Sequence, residues 1–211
     1  MNLGVGLRGG LAAMGLDLSD AQQARLLAFI ALLAKWNRTY NLTAIRQEDE
    51  MLTQHLLDSL AVLPALEKSA LTGRRWADVG SGAGLPGIPL AIASPDLNIT
   101  SIETVEKKAS FQRQAKIELG LANFTIENRR VEQVPGGGFD AVISRAFADL
   151  TDFVRLAGHL LTPGGWILAM KGVLAEDEIK RLPPAWAVRE ILPLRVPGLD
   201  AQRHLLVIKR A

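Results

Sequence analysis

The chain has 211 residues, 48% of them hydrophobic and 22% charged, and its 24 basic and 22 acidic side chains leave a formal net charge of +2. That length suits one packed domain with a small appendage, and the near-neutral balance means that any nucleic-acid affinity must come from a local patch. The lack of cysteine excludes disulfides, thiolate–metal centres and cysteine nucleophiles, and three scattered histidines make no histidine-rich metal site.

From the N-terminus, residues 1–17 are glycine-rich, with only Arg8 and Asp17 charged, and read as loosely ordered or a short helix. They lack the apolar stretch of a signal peptide. Ser19 with Gln22 forms a capping-box start, and Leu26, Leu27, Ile30, Leu33 and Trp36 recur at helical spacing. The longest apolar run, Leu26 to Ala34, is far short of the ~20 residues that a membrane helix needs, so a cytoplasmic protein is expected. Asn37 to Thr43 breaks the helix, and a second helical region runs from about Gln47 to Ala65. Residues 1–70 thus form a helical lead-in too small for its own core, packed on a domain spanning 71–211.

From residue 75 the pattern alternates strand and helix. Strands are predicted at 75–80, 98–103, 123–128, 139–144 and 166–171, and helices at 85–94, 106–119 and 149–162. Gly120 reads as a helix stop and Pro163-Gly164-Gly165 as a turn. Such alternation argues for an α/β fold with a parallel sheet covered on both faces. After a short helix near 174–182, strands at 187–196 and 203–210 are separated only by residues around Pro197-Gly198-Leu199-Asp200. That connection is too short to cross over the sheet, so the last pair should be antiparallel.

The most informative stretch is Asp78-Val79-Gly80-Ser81-Gly82-Ala83-Gly84-Leu85-Pro86-Gly87. It reads as a strand, a glycine-rich turn that presents bare amides, and a helix start. Gly82, Gly84 and Gly87 satisfy the dinucleotide pattern G-x-G-x-x-G, and Glu103 lies at about its acidic spacing. A nicotinamide or flavin site and a purely structural turn therefore stay open. Asp78 favours a third reading: a carboxylate there repels a pyrophosphate and suits a cationic, amino-acid-like ligand such as S-adenosylmethionine.

Several segments carry a family likeness: Lys35-Trp36-Asn37 with Tyr40-Asn41-Leu42-Thr43, His55-Leu56-Leu57-Asp58-Ser59, and the glycine loop through Leu90. Arg130-Val131-Glu132, Ile143-Ser144-Arg145-Ala146-Phe147-Ala148, Lys171-Gly172 and Arg203-His204-Leu205-Leu206-Val207-Ile208 follow in the family's order. From about residue 16 onward the chain resembles the glucose-inhibited division protein B family, bacterial 16S ribosomal RNA guanine-N7 methyltransferases. It departs at Gln54, where arginine is frequent, and at Ala83, where proline is frequent.

The resemblance implies a Rossmann-like methyltransferase dependent on S-adenosylmethionine. Its seven-stranded sheet is mostly parallel, with an antiparallel C-terminal strand and a small helical region ahead of it. It also implies methyl transfer to N7 of a guanine in the 530-loop region of 16S rRNA, on naked RNA, a partial particle or the small subunit, by a cytoplasmic enzyme that need not be more than a monomer. Gly80, Gly82 and Leu85 would line the methionine part of the cofactor, Glu103 the ribose, and Val131 and Glu132 the adenine. Arg145, after the fourth strand, would serve both cofactor and substrate, and Lys171, Arg203 and His204, with Arg195 nearby, would meet rRNA phosphates. Arg74-Arg75, Arg129-Arg130 and Lys209-Arg210 read instead as solvated flanks of strands. Phe147 reads equally as a platform for a flipped-out base and as core.

The segment Ser144-Arg145-Ala146-Phe147 replaces the Asn or Asp, two prolines and aromatic residue with which amino-group methyltransferases grip an exocyclic amine. Guanine N7 already owns a lone pair, so alignment matters more than a general base. A 5-methylpyrimidine transferase needs a cysteine, and a ribose 2′-O-methyltransferase wants an acid where Arg145 stands. A dehydrogenase leaves Asp78 and the terminal strand pair unexplained. A non-catalytic RNA- or ribosome-binding factor would be expected to have lost the glycine loop, Glu103 or Arg145.

Overall fold

The computed structural model describes residues 2–67, 73–147, 149–174 and 176–211. The boundary expected at 70/71 lies outside the described residues. Asn2 caps helix α1 (Leu3–Met14) by accepting from two backbone amides, and Gly15 ends it in the left-handed conformation. The glycine-rich tip is therefore a full helix. Helix α2 (Asp20–Tyr40) starts at the expected capping box. The Gln22 side-chain amide also donates to the carbonyls of Ile92 and Ala93, both at 3.0 Å. After Asn41 comes a broken helical run, with α3 (Glu48–Met51) continuing through a π-helical stretch, Leu52–Leu57, into α4 (Asp58–Leu60) and α5 (Val62–Leu66).

The remainder is β1 (Arg75–Val79), α6 (Gly87–Ala93), β2 (Asn98–Ile102), α7 (Glu106–Leu119), β3 (Phe124–Glu127), β4 (Phe139–Ser144), α8 (Leu150–Ala157), β5 (Leu161–Lys171), α9 (Glu176–Lys180), β6 (Trp186–Pro193) and β7 (His204–Arg210). The seven strands form one sheet in the order β3-β2-β1-β4-β5-β7-β6. The first five pair in parallel, and β7 runs antiparallel between β5 and β6. The order reverses between β1 and β4, which opens a crevice at the carboxyl ends of the strands. One expectation fails locally. Pro163-Gly164-Gly165 is no turn before the strand but part of β5, whose pairing with β4 skips from Leu161 to Trp166. The ladder tolerates the missing Pro163 N–H because the register is already broken there.

Each face of the sheet carries its own apolar cluster. On one face Leu26, Phe29, Ile30, Met51 and Leu56 of the lead-in share a core with Ile88, Phe111 and Phe124. On the other, Val79, Val142 and Ile167 pack under Phe153 and Val154 of α8. The fully buried Phe29 meets Phe111 at 6.2 Å, and deleting such a ring costs about 3–5 kcal/mol. The lead-in is thereby pinned over α6 and α7, and the start of α4, at Asp58, reaches the crevice between β1 and β4.

Candidate functional site

The glycine loop leaves β1 at Gly80, whose φ of +69° is open to glycine but strained for other residues, and whose missing Cβ would stand 2.9 Å from that of Ala146. The loop is braced from beneath by side chains on neighbouring elements. Fully buried Gln112 of α7 donates at 2.8 Å to both the Gly82 carbonyl and Ser81 Oγ, and Ser101 joins the same network. Glu103, at the end of β2, accepts from the amides of Gly82 at 2.7 Å and Val105 at 2.8 Å. The Gly82 amide is thus engaged by Glu103 rather than bare. What Gly82 offers the crevice is a surface without a side chain.

Asp78 does not face the crevice at all. Residues alternate across a strand, so Ala77 and Val79 point to one face and Asp78 to the other, under α6. It is fully buried, and one oxygen accepts from the Gly87 amide at 2.8 Å, while Oδ1 has no partner among the described residues. Burial pushes its pKa up to about 7, against the pull of the Gly87 hydrogen bond and the Arg145 charge. Asp78 therefore acts on the loop from below as an anchor for α6. The expected direct meeting with a cationic ligand is not in this geometry.

Three adjoining cavities make a trough along the carboxyl ends of the strands. The first, about 320 Å³, has Val79, Ile102 and Val131 as apolar walls, with Gly80, Thr104, Glu132 and Phe147 around them. The second, about 190 Å³, shares Gly80 with the first and adds Gly82, Leu85, Thr43 and His55. The third, about 360 Å³, shares His55 and Arg145 with the second and adds Gln54, Asp58, Lys171 and Arg203. A larger hollow of about 630 Å³ lies at the opposite, amino end of β1 and β2, bordered by Glu67 and Gly73, which flank residues 68–72. Its place in the fold, away from the switch point, sets it apart from the trough.

The third cavity is organised by charge. Arg145 Nη1 donates to Asp58 Oδ2 at 2.6 Å and to the Gln54 carbonyl at 3.2 Å, and Arg203 Nε donates to Asp58 Oδ1 at 3.0 Å. Lys171 is ion-paired with Glu178 at 2.8 Å and donates to the Phe147 carbonyl. His204 does not line the cavity, and its Nδ1 meets the carbonyl of the lining residue Gly172 at 2.8 Å. At the junction, His55 Nε2 lies 2.9 Å from Thr43 Oγ1, and its Nδ1 lies 3.3 Å from the Gln54 carbonyl. A neutral ring with its proton on Nδ1 satisfies both contacts. Burial, helped by the Arg145 charge, lowers the His55 pKa to about 4. Among the described residues no group of three or more His, Asp or Glu side chains converges as a metal site.

Residues 22–206 match the family model described as "GidB: rRNA small subunit methyltransferase G". The chain belongs to this family. It is 64% identical to the ribosomal RNA small subunit methyltransferase G of Aromatoleum aromaticum over 97% of both chains. The enzyme of the same name from Nitrosospira multiformis is 51% identical over 100% of this chain and 99% of that protein. Among solved structures, a SAM dependent methyltransferase from Aquifex aeolicus aligns with a TM-score of 0.59 at 15% identity, covering 75% of this chain and 92% of that one. TrmN from Thermus thermophilus aligns at 0.57 and 22% identity over 76% and 53%. These two likenesses show the fold.

In this GidB-family chain Gly80, Gly82, Leu85, Val131, Glu132, Arg145, Lys171 and Arg203 all line the trough. Glu103 and His204 act one step behind it. Phe147 is half-buried: it stacks on Phe153 at 4.6 Å and 14° and also lines the first cavity. Sequence reasoning gave no role to Asp58, His55, Gln112 or Ser101. The available signal was a buried polar residue inside an apolar pattern: Gln112 follows Phe111 on the inner face of α7, and Asp58 interrupts the run from Leu56 to Leu60.

Proposed function

We propose that this protein moves the methyl group of S-adenosylmethionine onto N7 of one guanine in the 530-loop region of 16S rRNA. The observation that carries this reading is the junction of the trough. A guanidinium and an imidazole stand there, and the imidazole has both nitrogens engaged and a pKa near 4. Neither is suited to take a proton at neutral pH. A nucleophile that must lose a proton is poorly served, whereas guanine N7 carries its lone pair in the neutral base. The family assignment supports ribosomal RNA of the small subunit as the substrate.

The residues fit the cofactor. Val79, Ile102 and Val131 form apolar walls for a flat base. Glu103, just behind the wall with one oxygen on the Gly82 amide and the other on the Val105 amide, keeps further lone pairs that the ribose hydroxyls would meet at the end of β2, and the side-chain-free surfaces of Gly80 and Gly82 leave room for the methionine part. S-adenosylmethionine, when bound, supplies a sulfonium methyl group open to direct displacement. Arg145 then orients the base. A bidentate grip on O6 and N7 would occupy the nucleophile, so Arg145 donates to O6 or to a flanking phosphate. Lys171 and Arg203 extend the positive rim. The lead-in, residues 1–70, walls the substrate end, and residues 71–211 carry the transfer core. We place the enzyme in the cytoplasm, acting as a monomer on the small subunit or an assembly intermediate. No helix among the described residues is long and apolar enough to cross a membrane.

The test is methyl transfer to naked 16S rRNA, a partial particle and the complete small subunit, with the modified base mapped. Labelled N7-methylguanine at a single 530-loop position is expected. If rRNA from a strain lacking this gene still carries that modification, the assignment fails.

A further inference from the structure

Asp58 stands apart from the other polar groups of the trough. Its side chain is only 6% exposed, and each of its oxygens holds a different arginine, Arg145 at 2.6 Å and Arg203 at 3.0 Å. Those arginines come from just after β4 and just before β7, 87 and 145 residues further along the chain. Both keep part of their surface open, at 23% and 28%, and both line the third cavity. One buried carboxylate thus sits between two guanidiniums, on the wall where RNA is expected.

Such a carboxylate has two opposed effects on a polyanionic substrate. It fixes two long side chains in one geometry before the substrate arrives, so less side-chain freedom is lost at the moment of reaction. It also competes with phosphate and with base acceptors for the same N–H groups. Resting on the reading above, we propose that Asp58 is a positioning residue for methyl transfer. It aligns Arg145 and Arg203 at the substrate end of the trough and, as their internal counter-ion, holds RNA affinity down.

The proposal requires the two effects of Asp58→Asn to have opposite signs. A merely structural role lowers turnover and RNA affinity together. In the full-length protein kcat on small subunits should fall by about 10-fold or more, since small misplacements of positioning groups cost up to about 100-fold. The dissociation constant for a 530-loop RNA, measured without cofactor, should fall by about 3- to 10-fold as charge-assisted contacts to RNA replace those to Asp58. The slope of log affinity against log salt should steepen by roughly 0.7 to 0.9 per phosphate newly neutralised. Asp58→Glu keeps the charge but moves it, so RNA affinity and slope should stay at the wild-type values with kcat in between. In an Arg145→Met/Arg203→Met background, Asp58→Asn should change neither affinity nor slope.

A folded Asp58→Asn protein that binds RNA more weakly, or with an unchanged salt slope, overturns the proposal. Should that variant lack a cooperative thermal transition, Asp58→Glu decides, and loss of RNA affinity there is equally fatal. If the wild-type protein methylates none of the three RNA forms, the functional reading fails, while the binding measurements still judge the counter-ion role.

Discussion

The two ends of the trough are held by different kinds of bond. At the glycine-loop end no brace is a pair of opposite charges, and none of these spans more than 31 residues: Asp78 to Gly87, Glu103 to Gly82, and Gln112 to Ser81 and Gly82. At the far end the braces are charge pairs between side chains, with Asp58 joined to Arg145 and Arg203 across most of the chain. The first arrangement fixes a shape, which suits a ligand that is the same at every turnover. The second fixes charges that water and a polyanion still reach. Steric changes should therefore damage the glycine-loop end, and changes of charge or salt should register at the other.

The largest effect is expected from Gly80→Val. A left-handed φ costs a side-chain-bearing residue about 1–2 kcal/mol, and overpacking against Ala146 adds about 1–3 kcal/mol. Calorimetry should find no measurable cofactor binding in a protein whose circular dichroism is unchanged; normal binding would show that the loop lies elsewhere. Next comes Arg145→Ala, which should lower turnover by roughly 100-fold through lost alignment while leaving affinity for S-adenosylhomocysteine within a few-fold. Equal losses in Arg145→Ala and Arg74→Ala would remove the distinction between the ends. Arg74 pairs with Asp96 on the surface, at 67% and 78% exposure, and its replacement should shift stability by less than about 1 kcal/mol with turnover intact.

Glu103→Gln weakens the brace on Gly82 and Val105, each a charge-assisted bond worth about 1.5–3 kcal/mol. Cofactor affinity should fall about 10-fold or more, whereas the salt dependence of RNA binding should not move. A changed RNA slope would mean that the ends are electrostatically one site.

A separate expectation concerns stability against pH, where buried Asp78 at the glycine-loop end and buried His55 at the junction work against each other. Asp78 rises from its ordinary 3.8 to about 7, so the folded state holds an extra proton between those values. The stability this proton contributes is full below about pH 4 and is lost as pH rises toward 7. His55 falls from 6.5 to about 4, so its contribution is present above pH 6.5 and is lost as pH falls toward 4. Each slope is at most about 1.4 kcal/mol per pH unit, and between pH 4 and 6.5 they oppose. Denaturant titrations should show stability rising more steeply with pH across that window in Asp78→Asn than in the wild type, and falling relative to the wild type in His55→Asn. Parallel curves for all three proteins would mean that neither group titrates as its burial implies.

Much of the glycine-loop end was legible in the sequence because its parts lie within two consecutive β-α units. Gly80, Gly82, Leu85 and Glu103 could be named from spacing and resemblance. The hidden detail was direction, since the strand pleat decides that Asp78 turns under α6 and that the Gly82 amide is spent on Glu103. The substrate end was legible only as a set of charges. Arg145, Lys171 and Arg203 were singled out as cations, but their partners were not, because no local pattern ties Asp58 to residues 87 and 145 positions away. Phe147 combines both surroundings, stacked on Phe153 and lining the first cavity, which local sequence does not encode.

By itself the sequence determined the alternation of strands and helices, the antiparallel close, the glycine loop and the family, all set by local spacing, hydrophobic period and motif order. Only the tertiary structure decided that the start of α4 reaches the crevice, that one carboxylate serves two arginines, and that the ring of His55 is held neutral. Those are properties of groups brought together by packing, and their energies come from burial and proximity that no stretch of chain possesses alone.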